Sequence, residues 1–259
     1  MITAASNGRL KRLIRLNQRA KSRREENVFL AEGVKMFLEA PPEKIREVYV
    51  AESFVPDDAC GAKLSQIGCE VVADALFSRI SDTCTPQGIL CVVEQFHYNM
   101  EDLLSGPAPL LLILENIQDP GNLGTMLRTG EGAGIDGVIM SRDTVDLYNP
   151  KTIRSTMGSV YRVPFCYTGD LAGTIARIRK EKIRVYAAHL EGKQWYTQPD
   201  YREGAAFLIG NEGNGLREET ARLADSYIKI PMEGQVESLN AGIASAILMY
   251  EAQRQRREL

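Results

Sequence analysis

The chain has 259 residues and a net charge of −3, and its 44% hydrophobic and 25% charged residues are typical of a globular protein with one large or two modest domains. No apolar run approaches the ~18 residues that a membrane helix needs, and the N-terminus lacks the apolar core of a signal peptide. The five cysteines show no C-x-x-C spacing and are accompanied by only two histidines, so we expect reduced cysteines and no metal site. Together these features lead us to expect a cytoplasmic protein without a membrane partner.

Positive charge is concentrated at the N-terminus. Of the 31 basic residues, eight lie within residues 1–24, which contain no acidic residue, and this leaves 23 basic against 34 acidic side chains in the rest of the chain. The asymmetry favours a basic arm over residues 1–26 that binds a polyanion in a salt-dependent way. The alternative is a solvated helix, because Leu10, Leu13 and Ile14 form a short apolar stripe.

Short strand-like and helix-like segments alternate over residues 27–98. They include "VFLAEG", "IREVYVAE" and "QGILCVVEQF", and together they predict a small α/β domain. Residues 99–108 are mostly polar, end in Ser-Gly-Pro-Ala and predict a linker.

From residue 109 to 259, apolar runs rich in β-forming residues alternate with helical patterns. The runs lie at 110–114, 137–140, 163–166, 183–188, 206–210 and 226–230, and the helical patterns at 122–133, 150–157, 170–180, 216–224 and 238–256. This alternation predicts an α/β domain with a mostly parallel sheet. Ligands of such sheets bind beyond the carboxyl ends of the strands, so the loops after the runs are the candidate site.

Three of these loops are unusual. The first is "NIQDPGNLGTMLRTG" (116–130), a turn that enters a helix near Asn122. The second is "GNEGNG" (210–215), and the third is "IPMEGQVESLN" (230–240), where Ser238 is well placed to cap the last helix. Their glycines and free amides predict turns that a ligand approaches closely.

The nucleotide-binding fingerprints are absent. "GAGIDG" (132–137) matches G-x-G-x-x-G, but the dinucleotide site needs a strand before the first glycine and a helix after it. Here a helix precedes and a strand follows, which predicts a plain connecting loop and argues against a Rossmann-type cofactor site. No P-loop sequence occurs either.

The three loops, in their order along the chain, resemble the three motifs of the SpoU/TrmH branch of the SPOUT RNA methyltransferases. The matching stretches are Asn122-Leu-Gly with Arg128, then "IGNEGNGL", then "IPMEGQVESLN". Residues 149–165 resemble the family's link between its first two motifs. The basic arm with "FLAEGVKMF" and "PQGILCVV" resembles the L7Ae/L30e-like substrate-binding domain that often precedes the catalytic domain. The resemblance covers nearly the whole chain.

The resemblance implies an α/β fold in which a SPOUT domain with a deep trefoil knot follows a small L30e-like domain. It also implies a homodimer with the active site at the subunit interface, S-adenosylmethionine as cofactor, and methyl transfer to a ribose 2′-hydroxyl of RNA. Ribosomal RNA is favoured because such a domain suits a structured RNA loop, and transfer RNA is the alternative. A non-catalytic RNA-binding protein of the same fold is the alternative from another class, and base methylation is a third.

The resemblance further implies which residues form the site. The expected cofactor contacts, mostly through the main chain, are Leu190, Gly210, Ile230, Met232 and Leu239. The expected polar residues of the reaction centre are Asn122, Arg128, Glu212, Ser238 and Asn240. Arg128 is expected to hold a phosphate and to stabilise a developing alkoxide, and the general base is left open because arginine stays protonated. Taken alone, Arg128 is better explained as a surface charge, Glu212 as a solvated turn residue, and Asn122 and Ser238 as helix N-caps; together, in the order of the family motifs, they favour a site.

Overall fold

Strands and helices alternate along residues 1–257, the part of the chain that a computed structural model describes. The elements up to residue 94 are α1 (Gly8–Gln18), α2 (Ala20–Glu26), β1 (Val28–Glu32), α3 (Val34–Glu39), β2 (Ile45–Ala51), α4 (Asp58–Ile67), β3 (Glu70–Val72), α5 (Asp74–Ile80) and β4 (Ile89–Glu94). The later elements are α6 (Met100–Leu104), β5 (Leu110–Leu114), α7 (Pro120–Ala133), β6 (Gly137–Ser141), α8 (Pro150–Thr156), β7 (Phe165–Thr168), α9 (Leu171–Lys180), β8 (Arg184–Ala188), β9 (Gln194–Trp195), β10 (Ala205–Ile209), α10 (Glu218–Ala221), β11 (Ser226–Lys229) and α11 (Ala241–Arg257).

Contacts between these elements divide the chain into two units. The first comprises Met1–Phe96 and Asp146–Tyr161, and the second comprises His97–Val145 and the chain from Arg162 onward. Within residues 1–257, no helix combines the length and the hydropathy that a membrane span requires.

The first unit is built on a four-stranded sheet of order β1–β4–β2–β3. Strand β4 is antiparallel to both β1 and β2, and β3 is parallel to β2 at the edge. One face of this sheet contributes Leu30, Tyr49 and Val92 to a core that it shares with helices α1 and α5. The alternating segments predicted after residue 27 therefore belong to a small α/β unit, which also includes residues before and beyond the predicted range 27–98.

The basic segment predicted as an arm forms two helices that pack into this unit. Leu10, Leu13 and Leu16 are completely buried, and their spacing of three residues puts them on one face of α1. Burying a leucine stabilises the fold by roughly 1.5–3 kcal/mol, which a free arm would forgo. The apolar stripe thus outweighs the charge in deciding the structure of residues 8–26.

Carboxylates of the same unit neutralise much of the positive charge of these helices. Arg12, for example, pairs with Glu26 at 2.5 Å and with Glu47 at 2.6 Å. The basic side chains of residues 8–26 that are exposed and have no carboxylate partner within residues 1–257 are Lys11, Arg19 and Arg24. The segment is therefore less positive than its composition suggests.

Residues 146–161, which the resemblance places between two methyltransferase motifs, pack with the first unit. The guanidinium of Arg23, only 3% exposed, pairs with the carboxylate of Asp146 at 2.6 Å. The ring of Tyr148 stacks on Phe29 with 4.8 Å between centroids. The division expected at residue 109 is therefore crossed by this segment of the chain, because its aromatic and acidic side chains find their partners in α2 and β1.

The second unit is built on a seven-stranded sheet of order β7–β6–β5–β10–β8–β11–β9, in which all six pairs are parallel. All five residues of β5 are buried, so both faces of the sheet are covered. On one face, Ile175 and Ile178 of α9 share a core with Leu111 and Ile113. The parallel-sheet domain predicted from the sequence is confirmed.

The segment predicted as a linker contains helix α6. Reciprocal hydrogen bonds between Asn99 and Asp102, of 2.8 and 3.1 Å, cap its first turn. Leu103 is completely buried and lies so close to Gly137 that a side chain at Gly137 would overlap it. Residues 99–108 therefore do not form a free linker, and the helix was missed because five residues are too few to show a period.

The order in which successive strands join the sheet reverses at β5. Strands β6 and β7 lie on one side of it, and β10, β8, β11 and β9 lie on the other. The carboxyl ends of β5 and β10 are adjacent, with Leu114 opposite Ile209, and a crevice at such a reversal is the usual ligand position in parallel sheets. The trefoil knot implied by the resemblance stays a prediction.

We expect Leu13→Ala to destabilise the protein by about 2–5 kcal/mol, because it opens a cavity in the core beneath α1. The matched control is Lys11→Ala on the exposed face of the same helix, for which we expect a change within about 0.5 kcal/mol. Urea unfolding followed by circular dichroism measures both. Equal stability of the two variants would show that α1 does not pack into the core.

Candidate functional site

The first loop ends in a capped helix. Helix α7 begins at Pro120, and the carboxylate of Asp119 accepts a hydrogen bond from the main-chain N–H of Asn122 at 2.7 Å. The prediction that the helix begins near Asn122 is therefore two residues late, because Asp119 supplies the cap. Asn122 lies in the first turn, and its side chain is free to make other contacts.

The second loop, after β10, folds back on itself. Asn211 and Gly215 exchange two main-chain hydrogen bonds of 3.0 and 2.9 Å, and Gly215 has a φ of +67°. A Cβ at Gly210 would overlap the main chain of Gly215 and Leu216. Residue 210 must therefore be glycine for the loop to close, whether or not a ligand approaches it.

The carboxylate of Glu212 joins the second loop to the first. It accepts hydrogen bonds from the main-chain N–H groups of Gln118 and Asp119 and from Nδ2 of Asn122, each at 3.0 Å. Partial burial of Glu212 raises its pKa, but these hydrogen bonds outweigh the burial and hold the pKa below its usual value. At neutral pH, Glu212 is therefore ionised and binds the two loops together.

Asn240 joins the third loop to the same group. Its Nδ2 donates a hydrogen bond to Oδ1 of Asn122 at 2.9 Å, and its own Oδ1 accepts from the main-chain N–H of Gly242 at 2.9 Å. Asn240 is thus the N-cap of α11, and the prediction that Ser238 caps this helix is wrong. The N-cap is the residue directly before the first helical residue, which is Ala241 in this helix, and Ser238 lies two positions before that N-cap.

The other two predicted polar residues lie apart from this hydrogen-bonded group. Arg128 is six residues beyond Asn122 on α7, roughly 9 Å along the axis. Arg128 and Ser238 are both exposed, and neither makes a hydrogen bond or an ion pair with any residue of the described chain. The structure therefore brings together Asn122, Glu212 and Asn240 and leaves Arg128 and Ser238 open to solvent.

Glu115 is a positioning residue that the sequence analysis missed. It follows β5 directly, is 1% exposed, and accepts hydrogen bonds from the main-chain N–H of Arg217 at 2.8 Å and from Oγ1 of Thr220 at 2.5 Å. A buried carboxylate is costly unless it is hydrogen-bonded, so these contacts hold the end of the second loop against β5. The sequence signal that could have identified Glu115 is its position directly after five apolar residues, 110–114.

The five residues predicted to contact a cofactor all follow carboxyl ends of strands. Gly210 follows β10, Leu190 lies two residues after β8, and Ile230 follows β11 directly. Met232 and Leu239 lie farther along the third loop. Ile230, Met232 and Leu239 are half-buried, and Leu190 is 65% exposed, so a ligand at this edge would find apolar side chains to cover.

The third loop has a main chain without internal partners. Within residues 1–257, the N–H and C=O groups of residues 230–239 make no hydrogen bond with one another or with other residues. Main-chain groups require partners, which water, a ligand or a second chain must then supply. The described residues contain no group of three or more His, Cys, Asp or Glu side chains that could hold a metal ion.

Comparison with known protein families shows which family the chain belongs to. The model of the SpoU rRNA Methylase family matches residues 109–250, more than half of the chain. The chain belongs to the SpoU rRNA methylase family. The resemblance drawn from the three loops is thereby confirmed, and the match to this family includes all three of them.

A second model, of an MRM3-like substrate binding domain, matches residues 7–91. This match begins before α1, so the two basic helices lie within that domain and do not precede it. It agrees with the packing of Leu10 and Leu13 in the core of the first unit.

Relatives of this SpoU family member match along almost their whole length. The 23S rRNA (guanosine(2553)-2′-O)-methyltransferase RlmP of Bacillus subtilis is 34% identical over 252 residues, which are 96% of this chain and 97% of the relative. The AdoMet-bound rRNA methyltransferase from Sinorhizobium meliloti is 32% identical with a TM-score of 0.83, over 98% of this chain and 97% of that one. The SpoU methyltransferase AviRb from Streptomyces viridochromogenes, in complex with AdoMet, has a TM-score of 0.88 over 97% and 98% of the two chains, and at 24% identity it shows the fold alone.

The contact made by Glu212 should depend on pH. Because the folded-state pKa of Glu212 is lowered, its stabilising effect is complete above the ordinary carboxyl pKa of about 4.3 and is lost as the pH falls through the lowered value. We expect the NMR signal of the Asn122 side-chain amide to stay constant from pH 7 to about 4.3 and to shift below it. Glu212→Gln is the control and should remove this titration. A shift centred above pH 4.3 would contradict the assignment.

Proposed function

We propose that this protein transfers a methyl group from S-adenosylmethionine to a ribose 2′-hydroxyl of ribosomal RNA. Two findings support this function. The chain belongs to the SpoU rRNA methylase family, and a relative named as a 23S rRNA 2′-O-methyltransferase matches 96% of the chain. The observation that carries it is the hydrogen-bonded group of Asn122, Glu212 and Asn240, which joins the three loops. The first unit is proposed to bind the RNA, as a match to a substrate-binding domain suggests.

The cofactor is proposed to lie against the second and third loops. The unpaired main chain of residues 230–239 offers donors and acceptors for polar groups of the cofactor, and the neighbouring apolar side chains offer contacts for its adenine. When bound, S-adenosylmethionine supplies an activated methyl group on a positively charged sulfur. The residues proposed to hold it are Leu190, Gly210, Ile230, Met232 and Leu239, with Ser238 beside them.

The side-chain amide of Asn122 is proposed to orient the ribose. An asparagine amide has two N–H donors, and Asn122 uses one for Glu212, while its oxygen accepts from Asn240. Both ends of the amide are thus fixed, and one N–H remains for a substrate oxygen. Such pre-organised positioning accelerates a transfer whose methyl donor is already activated.

Arg128 is proposed to bind the phosphate next to the target ribose. Its guanidinium is exposed and has no carboxylate partner within residues 1–257, so it is free to make a bidentate contact. A guanidinium offers only N–H donors and no acceptor, which suits stabilisation of a developing alkoxide and does not suit the role of base. A non-catalytic RNA-binding protein would need neither this free arginine nor the fixed amide of Asn122.

A homodimer is proposed from one face of α11. Ile243 is 50% exposed and Tyr250 is 48% exposed, and their spacing of seven residues puts them on the same face of the helix. Ile247, between them, is half-buried. A second copy of the chain is the proposed cover for this stripe, as the resemblance to the family implies.

The function is tested by incubating the protein with S-adenosylmethionine and 23S rRNA from cells that lack its gene. We expect a new nucleotide at which the RNA backbone resists alkaline cleavage, because a 2′-O-methyl group removes the attacking hydroxyl. Methylation that leaves every linkage sensitive to alkali would indicate a base as the target. Failure to bind S-adenosylmethionine in a calorimetric titration would favour a non-catalytic RNA-binding protein.

In the same assay, we expect Arg128→Ala to lower the rate of methyl transfer by about 100-fold or more, while the affinity for S-adenosylmethionine changes by only a few-fold. The control is Arg222→Ala, which removes an exposed arginine at the end of α10 and should leave the rate unchanged. Retained turnover in Arg128→Ala would remove this residue from the mechanism.

For the homodimer, we expect Ile243→Asp to convert a species of twice the chain mass into single chains, because it places a charge in the proposed apolar interface. Light scattering after size-exclusion chromatography measures this mass. The control is Val55→Asp, a charge placed at an exposed valine of the first unit, which should leave the dimer intact. A wild-type protein of single-chain mass would contradict the proposal.

A further inference from the structure

A basic groove lies at the amino-terminal edge of the large sheet, at the end of the strands opposite the three loops. It has a volume of about 1030 Å³ and runs beside the first residues of β8 and β11, Arg184 and Ser226. Its cations come from the end of α9, from the following turn and from β8. They are Arg179, Lys180, Lys182 and Arg184. None of these four residues belongs to the three loops of the candidate site.

Most of this positive charge is not neutralised locally. Of the two carboxylates in the groove, Asp225 pairs with Arg179 at 2.7 Å and Asp200 pairs with Arg202 at 2.5 Å. The cations of the groove that are exposed and have no carboxylate within 4.0 Å in the described chain are Lys180, Lys182 and Arg184. An anionic ligand would therefore meet two cations without a partner in the described chain, Lys180 and Lys182, and also Arg184, which interacts with Tyr186 and Asp200 but forms no ion pair within 4.0 Å.

An exposed aromatic ring stands at the edge strand beside the groove. Trp195, the single tryptophan of the chain, lies on β9 and is 44% exposed. The ammonium group of Lys229 lies 4.9 Å from the centre of its ring. Tryptophan is enriched at interfaces, and a ring beside a cation suits a nucleobase with its phosphate.

We propose that the groove and Trp195 together bind a single-stranded stretch of the RNA substrate outside the target nucleotide, an inference that rests on the proposed function. The phosphates contact Lys180, Lys182 and Arg184, and one base stacks on Trp195. Cations that follow the backbone, combined with an aromatic ring for the bases, are how proteins hold single-stranded nucleic acid without reading its sequence.

The spacing along β11 connects this surface to the candidate site. Ser226 lines the groove, and Lys229 beside Trp195 is three residues farther along the strand, roughly 10 Å away. The next residue, Ile230, opens the third loop. A strand of RNA that follows this edge of the sheet therefore passes from the groove over Trp195 toward the loops proposed to hold the cofactor.

The single tryptophan allows a direct test. We expect its fluorescence to be quenched when an unmodified 23S rRNA transcript binds, and to be unchanged when S-adenosylmethionine alone is added. We expect Trp195→Ala to weaken RNA binding roughly tenfold and Trp195→Phe to restore most of the affinity, since any aromatic ring can stack. Fluorescence that stays constant while the transcript is bound and methylated would overturn the proposal, and so would quenching by the cofactor alone.

The cations are tested by the double variant Lys180→Gln with Arg184→Gln. Because each phosphate contact to single-stranded nucleic acid contributes about 0.7 to the slope of log affinity against log salt, we expect the slope to fall by about 1.4. Affinity for S-adenosylmethionine should be unchanged. The matched control is Arg222→Gln, an exposed arginine of the same unit outside the groove, which should leave the slope unchanged.

The outcomes separate this inference from the proposed function. If wild-type protein methylates the transcript and the double variant keeps the full salt slope, the groove does not bind RNA, although the function stands. If wild-type protein neither binds nor methylates the transcript, the function itself fails. Equal fluorescence quenching by polyglutamate would indicate a general polyanion surface and would overturn the assignment to RNA.

Discussion

The three hydrogen bonds that Glu212 accepts hold the candidate site together. Two of the donors are main-chain N–H groups before α7, and the third is the side chain of Asn122, so one carboxylate fixes both the path of the first loop and the orientation of the amide. A negative charge near the N-terminus of a helix is also favoured by the helix dipole. Without this carboxylate the three donors would lose their acceptor, and Asn122 would be free to turn away from Asn240.

The order of the strands explains why a residue of the second loop reaches the first. Strands β5 and β10 are about ninety residues apart in sequence but adjacent in the sheet, with their carboxyl ends level. Two carboxylates, one buried and one near the surface, stabilise the loops at these adjacent strand ends. Glu115 is buried and binds the segment that leaves the second loop, whereas Glu212 binds the segment that enters α7. Glu115 therefore fixes the end of the second loop against β5, and Glu212 fixes that loop to the first one.

The parts of the fold and site that were predictable from the sequence are those with a local signal. The alternation of apolar runs predicts the parallel sheet. The resemblance of the three loops implies five polar site residues, of which the structure joins Asn122, Glu212 and Asn240. The parts that were missed depend on partners distant in sequence. The cap of α11 is Asn240 and not Ser238 because the helix begins at Ala241. The amide of Asn240 also binds Asn122, a contact that no spacing within the third loop reveals. Residues 146–161 likewise pack with the first unit through side chains that lie more than a hundred residues earlier.

The distribution of charge shows why a count of basic residues is a poor guide to RNA binding. Within α1 and α2, carboxylates of the first unit pair with several arginines, and Arg23 is buried as a structural ion pair. A paired or buried cation releases few counterions when a polyanion binds, so it adds little to affinity. The cations that matter are those exposed without a carboxylate beside them in the described chain. By this criterion Arg128 and two cations of the basic groove, Lys180 and Lys182, rank with Lys11, Arg19 and Arg24. The positive N-terminus is therefore one contributor to RNA affinity among several, even though it dominates the sequence.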